Sequence, residues 1–453
     1  MNEKKLFGTD GIRAIVGKFP LEKKFITIIG DCSAYYLKKI FDVDKVVIGW
    51  DTRESSEWIA KLLTKSFAKH GFNVLCAEVF TTGGIALLCR ENNAVGIVIS
   101  ASHNPYQYNG IKFLSPAGVK ISVEIEEEIE KLIFSNKKIK TSKNKNIRNK
   151  IIRYRTEAEK VYFDFITERL KEASSKFPID NLSLVIDCGN GATSMLVPKL
   201  FKKIFSKVKF INTNPNGKNI NANCGALYPE VVKKEIRNNE IGIVFDGDAD
   251  RVIFVDEKKN IRDGDYIIGI LANEYKKNKK LKNSLVVVSV MSNLGLLKFL
   301  WSKNIKVIQC PVGDKYVSEY LAKYGGNLGG EQAGHIVLYD LLHTGDGVLT
   351  AVEIIKTMLV NRKKLYQLCN IFKKYPQVIK NVETQIKPPI EKIFDKNMLS
   401  DLEKRIDGRI VLRYSGTEPL FRIMVEGKNK ISIEKTANFL ANQFLKYIKD
   451  VCR

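Results

Sequence analysis

The chain reads Val95-Gly96-Ile97-Val98-Ile99-Ser100-Ala101-Ser102-His103-Asn104-Pro105 in its first quarter, where an apolar run passes directly into a loop of small hydroxyl residues. The apolar run predicts a buried strand, and Pro105 stops a helix from following it. Open α/β sheets bind ligands at the carboxyl ends of their strands, which is where this pattern places Ser102. Ser102 is therefore a candidate nucleophile or phosphate carrier, with His103 and Lys112 close in sequence. The alternative is a turn in which its hydroxyl only bonds to the backbone.

Strand, loop and helix alternate elsewhere in the chain in the same way. The segments are a strand at 45–49, a helix at 55–70, a strand from 73, a strand at 285–290, a helix at 293–303, a strand at 305–310 and a helix from 314 to 325. This alternation favours parallel or mixed sheets with helices on their faces. The pattern changes from about residue 370, where strands near 409–414 and 421–426 and a helix at 431–449 predict a smaller α+β unit.

The length of 453 residues and the mass of 51.3 kDa exceed what one hydrophobic core supports, so two to four domains are expected. We place domain boundaries near 155, 255 and 368, which gives domains at 1–155, 156–255, 256–368 and 369–453. An apolar fraction of 44% and a charged fraction of 27% are typical of a folded protein.

Neither a membrane span nor a secretion signal is expected. The longest apolar runs fall short of the roughly 18 residues that a spanning helix needs, and the first residues lack an apolar signal core. The 8 cysteines are scattered without the spacing of a zinc site. These features indicate a cytoplasmic protein with reduced thiols.

The net charge of +24 raises the question of a nucleic-acid partner. Residues 131–155 hold ten basic side chains and no acidic one, and residues 276–282 hold five lysines, so the rest of the chain is only mildly basic. Few aromatic residues are interleaved to stack on bases. A solvated linker or helix face is the favoured interpretation, and nucleic acid is not an expected partner.

A second loop reads Asp246-Gly247-Asp248-Ala249-Asp250-Arg251 between apolar runs at 241–245 and 252–255. Three carboxylates at alternate positions repel one another unless a cation or solvent neutralises them, and an all-oxygen set suits Mg²⁺ or Ca²⁺. The EF-hand pattern fails, because Arg251 stands where its sharp turn needs glycine. A Mg²⁺ site is predicted; an acidic hairpin is the alternative.

Two further loops concentrate polar chemistry. Gly329-Gly330-Glu331-Gln332-Ala333-Gly334-His335 offers a carboxylate for sugar hydroxyls and an imidazole for proton movement, although a simple glycine-rich turn fits as well. Arg413-Tyr414-Ser415-Gly416-Thr417-Glu418-Pro419, with Arg422, supplies the donors of a phosphate cradle. Asp187-Cys188-Gly189-Asn190-Gly191 has no partner motif and is interpreted as a strand-to-helix turn.

These loops, in this order and together with Thr9-Asp10-Gly11-Ile12-Arg13, resemble the α-D-phosphohexomutase superfamily. The resemblance runs from about residue 6 to about residue 445. It implies four domains around a central cleft: three α/β domains with mixed sheets and a smaller C-terminal α+β domain. Each domain contributes one loop, in turn the phosphoserine, metal, sugar and phosphate loop.

The resemblance also implies residue roles. Ser102 would be the phosphoserine and, with Asp246, Asp248 and Asp250, would bind one Mg²⁺ per subunit. Lys112 and His335 match the positions of proton transfer, while Arg13 and Arg251 would surround the reacting phosphate. The implied substrate ligands are Glu331 for the sugar ring and Arg413, Ser415, Gly416, Thr417 and Arg422 for the second phosphate.

The branch of the superfamily that acts on glucosamine phosphates is the one that the chain resembles most. Gln332 and the stretches 221–225, 291–295 and 344–347 carry this resemblance, whereas the phosphomannomutase/phosphoglucomutase branch usually has Met in place of Gln332. The implied reaction interconverts glucosamine 6-phosphate and glucosamine 1-phosphate through glucosamine 1,6-bisphosphate, toward UDP-N-acetylglucosamine. A homodimer is compatible with this reading.

Three residues depart from the superfamily pattern. Ala333 stands where Ser is usual, Ala14 replaces a common Gly, and His343 replaces a small polar residue. The loss of one neutral sugar hydrogen bond at Ala333 would cost about 1 kcal/mol, which affects selectivity rather than the chemistry. Two alternatives remain: a mannose or glucose phosphate as substrate, and a basic nucleic-acid-binding protein on a mutase scaffold that uses residues 131–155.

Overall fold

The computed structural model describes residues 6–135, 151–176, 179, 182–415 and 419–451. Most of the basic segment 131–155 lies outside these residues, so its role remains a prediction.

The strands of the described chain are β1 (Ile12–Ile15), β2 (Lys45–Trp50), β3 (Asn73–Val79), β4 (Val95–Ile99), β5 (Tyr108–Leu114), β6 (Ile151–Arg153), β7 (Ser183–Asp187), β8 (Lys207–Ile211), β9 (Glu240–Phe245), β10 (Val252–Val255), β11 (Ile261–Arg262), β12 (Leu285–Ser289), β13 (Lys306–Cys310), β14 (Leu328–Gly330), β15 (Ile336–Leu338), β16 (Gln377–Glu383), β17 (Arg409–Tyr414) and β18 (Leu420–Glu426).

The α-helices alternate with these strands in the first three quarters of the chain. They are α1 (Lys23–Phe41), α2 (Ser56–Lys69), α3 (Thr82–Asn92), α4 (Val123–Phe134), α5 (Arg155–Lys176), α6 (Thr193–Phe201), α7 (Glu230–Glu235), α8 (Gly264–Lys277), α9 (Leu294–Ser302), α10 (Asp314–Tyr324), α11 (Gly347–Asn361), α12 (Leu365–Cys369), α13 (Lys396–Ile406) and α14 (Lys430–Val451).

Three mixed sheets and one antiparallel sheet result, which confirms the predicted fold class. Their strand orders are β1-β5-β4-β2-β3-β6, β11-β10-β9-β7-β8, β13-β12-β14-β15 and β16-β18-β17. The central strands β2, β3 and β4 run parallel, as do β7, β8 and β9, and β12, β13 and β14. β4 and β12 are buried along their whole length, which explains their uninterrupted apolar sequences.

Each of the four polar loops joins two antiparallel neighbours of a sheet. The loops connect β4 to β5, β9 to β10, β14 to β15 and β17 to β18. Such a connection turns back at the end of the sheet, which places the described loop residues at that edge. The domain boundaries remain predictions, although β11 pairs with β10 and so continues the second sheet beyond residue 255.

The apolar core divides the molecule unequally. One continuous cluster of buried side chains runs through the first three sheets, from Val47 through Leu184 to Val286. A separate cluster around Phe421 and Phe444 lies between the fourth sheet and its helices. The first three sheets therefore share one apolar cluster, each of them also has a smaller separate cluster, and the fourth sheet has its own.

No helix within the described residues has the length and apolar character that crossing a membrane requires. The seven cysteines in this part of the chain are free thiols, and Cys76 alone among them is partly exposed.

A buried polar joint ties three helices of the shared core together. Asp346 caps α11 by accepting from the Val348 and Leu349 amides at 2.8 and 3.0 Å, and the Tyr162 hydroxyl of α5 donates to it at 2.9 Å. Burial raises the pKa of Asp346 to about 6. A Cβ on Gly83 of α3 would lie 2.3 Å from Asp346 Oδ2, so the joint depends on glycine there.

We expect Tyr162→Phe to lower the free energy of unfolding by about 1.5–3 kcal/mol, because a buried carboxylate loses a donor. The matched control is Tyr154→Phe, whose hydroxyl lies 3.2 Å from the partly buried Asn92 amide and whose loss should cost about 1 kcal/mol or less. Urea-induced unfolding of the three proteins measures the difference, and equal losses in both variants would contradict the role of the joint.

Candidate active site

Residues from all four sheets and their loops line one cavity of about 860 Å³. Its wall includes Arg13 of β1 and His103 of the serine loop, Arg251 of the acidic loop, Glu331 of the third loop and Arg422 of β18. The cavity therefore exists only where all four units come together.

Ser102 lies beneath the wall of this cavity and is fully buried. Its hydroxyl donates to Asp246 Oδ2 at 2.7 Å and lies 3.3 Å from His103 Nδ1. The backbone of Ser102 has a left-handed conformation with a φ of 52°, and its amide donates to Ser100 Oγ at 2.9 Å. The loop thus turns the serine toward the acidic residues of the second domain.

Asp246, Asp248 and Asp250 each offer an oxygen within 4.8 Å of the other two, and all three are buried. Asp248 Oδ1 and Asp250 Oδ1 have no hydrogen-bond partner. Burial and then the two neighbouring carboxylates raise the pKa of Asp246 well above its usual value. Unpartnered buried carboxylate oxygens of this kind suit a hard divalent cation such as Mg²⁺, so the residues present fit the predicted ion.

Lys112 compensates part of this negative charge. Its Nζ lies 2.8 Å from Asp248 Oδ2, 3.2 Å from Asp250 Oδ2 and 2.9 Å from Asp10 Oδ2. Burial alone would lower the pKa of Lys112, but these three carboxylates outweigh it and raise the pKa well above its usual value. Thr82 Oγ1 also donates to Asp248 Oδ2, at 2.6 Å.

A second charged network joins the first domain to His335. Lys120 pairs with Asp10 and, at 2.6 Å, with Asp314 Oδ1, while His335 Nε2 lies 3.0 Å from Asp314 Oδ2. Burial opposes the imidazolium, yet Asp314 and Asp250 raise the pKa of His335 to about 9. His335 therefore carries a proton at neutral pH in this arrangement.

Arginines give the cavity wall its positive charge. Arg13 pairs with Asp10, and the Nε atoms of Arg13 and Arg251 are buried without a hydrogen-bond partner. Burial, followed by the charges of Arg251 and Arg13, lowers the pKa of His103 to about 3, so His103 is neutral. An anion entering the cavity meets unsatisfied cationic donors on this side.

The sugar and phosphate loops complete the wall. Glu331 Oε1 accepts from the Gly313 amide at 2.9 Å, which fixes the carboxylate at the cavity. Arg422 of β18 lines the cavity, and Arg413 of β17 is the residue opposite it in the strand register. Burial, together with the positive charge of Arg422, lowers the pKa of Arg413. Ser415 is buried beside this pair. The predicted ligands Gly416 and Thr417 lie outside the described residues.

The structure adds residues to which the sequence analysis assigned no role. They are Asp10, Arg53, Thr82, Lys120, Asn221 and Asp314, all buried or partly buried in the networks around Ser102, the three aspartates and His335. Asp10 and Asn221 belong to the family-like stretches 9–13 and 221–225, and nothing else in the sequence marked them as functional residues. The partners of Lys120 and Thr82 lie more than 100 residues away, and nothing local marks either residue.

Comparisons with known proteins agree with this geometry. Four profiles of the phosphoglucomutase/phosphomannomutase family match the chain: α/β/α domains I, II and III at 4–140, 160–260 and 263–375, and the C-terminal domain at 383–443. A phosphoglucosamine mutase of Carboxydothermus hydrogenoformans is 42% identical over 93% of this chain and 95% of its own. One from Thermodesulfovibrio yellowstonii is 41% identical over 94% and 95%.

Solved structures share the fold at lower identity. A phosphoglucomutase/phosphomannomutase family protein of Burkholderia thailandensis superposes with a TM-score of 0.78 at 19% identity, covering 99% of this chain and 98% of its own. The N-acetylphosphoglucosamine mutase of Aspergillus fumigatus, solved with GlcNAc-6P and magnesium, gives 0.71 at 17% identity, covering 97% and 95%.

Four domains whose residues line one shared cavity define an enzyme of the phosphohexomutase class. Within that class, the near full-length relatives show that the chain belongs to the phosphoglucosamine mutase family.

We expect Mg²⁺ to raise the melting temperature of the protein, because a cation that binds only the folded triad stabilises it by mass action. A concentration 100-fold above the dissociation constant corresponds to about 2.7 kcal/mol. Thermal melting with Mg²⁺ and with EDTA measures the effect. Asp250→Asn should abolish most of it, whereas Asp401→Asn, at an exposed helix position, should retain it. A Mg²⁺ response that is unchanged in Asp250→Asn would refute cation binding at the triad.

Proposed function

We propose that the enzyme interconverts glucosamine 6-phosphate and glucosamine 1-phosphate through phosphorylated Ser102 and a glucosamine 1,6-bisphosphate intermediate. The observation that carries this proposal is the 2.7 Å contact between Ser102 Oγ and Asp246 Oδ2 beside a cavity whose wall includes Arg422 of the fourth domain. A carrier serine next to an acidic triad at one end, and an arginine at another wall, match a substrate with phosphate at both ends.

The chemical step exchanges one phosphate ester for another. The bond between phosphorus and Ser102 Oγ breaks while a bond from phosphorus to the sugar oxygen forms, and the proton that the sugar hydroxyl loses is balanced by the one gained at Ser102 Oγ. Such a loose transition state needs positioning and charge neutralisation above all. Arg13 and Arg251 supply positive charge at the cavity wall, and Lys112 supplies it beneath.

Asp246, Asp248, Asp250 and phosphorylated Ser102 would hold Mg²⁺, which supplies charge stabilisation to the transferring phosphoryl oxygens when bound. The A. fumigatus relative of the same fold was solved with magnesium. Lys112 and His335 are the proposed proton-transfer residues, and both are buried in ion pairs next to the triad.

Substrate reversal follows from the positions of the loops. After the first transfer the bisphosphate must turn so that its other phosphate faces Ser102. Arg422, with Arg413, Ser415, Gly416 and Thr417 as further ligands, would hold whichever phosphate is not reacting, while Glu331 would hold the sugar hydroxyls. We place this reaction in the cytoplasm, on the route to UDP-N-acetylglucosamine.

Ser102→Ala should reduce mutase turnover by at least about 10³-fold, since the phosphate carrier is removed while the surrounding charges persist. Intact-mass analysis after incubation with glucosamine 1,6-bisphosphate checks the site directly: one phosphoryl group should appear on Ser102 of the wild type and none in the variant. Ser100→Ala should still acquire it, because Ser100 Oγ supports the loop by accepting from the Ser102 amide at 2.9 Å and from Arg53 Nη1 at 3.4 Å. Near wild-type turnover in Ser102→Ala would falsify the mechanism.

Substrate preference separates this proposal from a phosphomannomutase or phosphoglucomutase activity. Turnover should be greatest with glucosamine 6-phosphate and at least about tenfold lower with mannose 1-phosphate and glucose 1-phosphate, as a pocket that hydrogen-bonds its substrate discriminates against analogues. Steady-state kcat/KM for the three sugars provides the comparison. A preference for mannose or glucose phosphate would replace the substrate assignment and keep the phosphoserine chemistry.

A further inference from the structure

Two turns without an assigned role lie against each other at the end of the second sheet. They are residues 187–191 and 221–225, which we call the asparagine platform. The Asp187 carboxylate accepts from the backbone amides of Gly189 and Gly225 at 2.8 and 2.9 Å. The backbone amide of Asn221 donates to the Gly189 carbonyl at 2.9 Å. Gly225 has a φ of 75°, and a Cβ there would lie 2.9 Å from the Phe245 carbonyl that ends β9. The platform is thereby fixed next to the acidic loop.

Asn221 extends from this platform to the serine loop of the first domain. Its Nδ2 donates to the Ser102 carbonyl at 2.8 Å and to the Asn104 carbonyl at 3.3 Å. The residue is 93% buried, and its φ of 55° is a conformation that asparagine tolerates better than most residues. The side chain therefore has one direction and one pair of acceptors.

Arg53 donates to the same two carbonyls from within the first domain. Its Nη2 lies 3.2 Å from the Ser102 carbonyl and 2.6 Å from the Asn104 carbonyl, and Asp51 holds the guanidinium in place. Ser102 itself has a φ of 52°, a left-handed conformation that is unfavourable for a residue other than glycine. The hydrogen bonds that both carbonyls accept stabilise this turn and so offset its unfavourable conformation.

The acidic loop contacts the same point. A Cβ on Gly247 would lie 2.6 Å from the Ser102 carbonyl oxygen and 2.9 Å from Asn221 Nδ2. The backbone between Asp246 and Asp248 is therefore in contact with both atoms of the hydrogen bond from Asn221 to Ser102. The Asn221 bond therefore sets the position of the serine loop relative to Asp246, the residue that Ser102 Oγ contacts.

We propose that Asn221 is a positioning residue for phosphoryl transfer: through the Ser102 and Asn104 carbonyls it holds Ser102 Oγ in register with the acidic loop across the boundary between two domains. This inference rests on the proposed function, because it assigns Asn221 to the transfer at Ser102. It predicts an effect on the transfer rate without an equal effect on substrate binding.

The test compares Asn221→Gly with Asn223→Gly. Both asparagines have a positive φ in the same turn, 55° and 53°, so glycine fits both backbones, but Asn223 is exposed and does not reach the serine loop. Asn221→Asp is a second variant of equal size that presents a carboxylate to the two carbonyls. The measurements are kcat and KM for glucosamine 6-phosphate, the rate of phosphate uptake on Ser102 from glucosamine 1,6-bisphosphate by intact mass, and the folded fraction at the assay temperature by circular dichroism.

Asn221→Gly should lower kcat and the uptake rate by about 10–100-fold with KM within about threefold, since small misplacements of reacting groups have effects of this size. Asn221→Asp should lower them further, and Asn223→Gly should stay within about twofold of wild type. Equal rates in Asn221→Gly and Asn223→Gly, or a loss that matches the loss of folded protein, overturn the inference alone. A wild-type protein that never takes phosphate on Ser102 overturns the proposed function and this inference together.

Discussion

The contact of one buried ammonium with three carboxylates governs the arrangement of the site. Lys112 Nζ lies within 3.2 Å of oxygens from Asp10, Asp248 and Asp250, which come from two different sheets. One positive charge does not balance them, and buried charge without compensation is unstable. Lys120 and Arg13 make up part of the difference at Asp10 and Arg251 does so at Asp250, while Lys120 also pairs with Asp314 at the start of α10. Charge compensation thus requires the domains to assemble around one point.

The sequence predicted those strands and helices that apolar runs and alternation mark, and it located the four polar loops. Apolar runs such as 95–99 and 285–290 became buried strands because helices cover both faces of their sheets. The pattern of alternate aspartates at 246–250 predicted a cation site, and in the structure two of their buried oxygens, Asp248 Oδ1 and Asp250 Oδ1, lack a hydrogen-bond partner. The sequence did not reveal that all four polar loops turn between antiparallel neighbours, because strand pairing depends on the sheet as a whole.

The supporting residues were beyond local sequence reasoning. Thr82 and Lys120 act on Asp248 and Asp314, at separations of 166 and 194 residues, and a threonine after another threonine or a lysine in a turn has no distinctive local pattern. The turn at 187–191 had been interpreted as a connection alone, since its partner at 221–225 joins it only in three dimensions. Residues that hold other residues in place are found by geometry rather than by composition.

The separate core of the fourth domain affects how the molecule can move. Its attachment to the third domain includes polar bonds, in which Glu426 accepts from Asn293 Nδ2 at 2.9 Å and from the Leu294 backbone amide at 3.2 Å. Water can replace such hydrogen bonds at little cost in free energy. Separating the first three sheets would instead expose their continuous apolar cluster to water. Thermal motion should therefore concentrate at the boundary between the third and fourth domains. The fourth domain, which bears Arg422, then moves relative to the others, while the distance between Ser102 and the acidic triad is preserved.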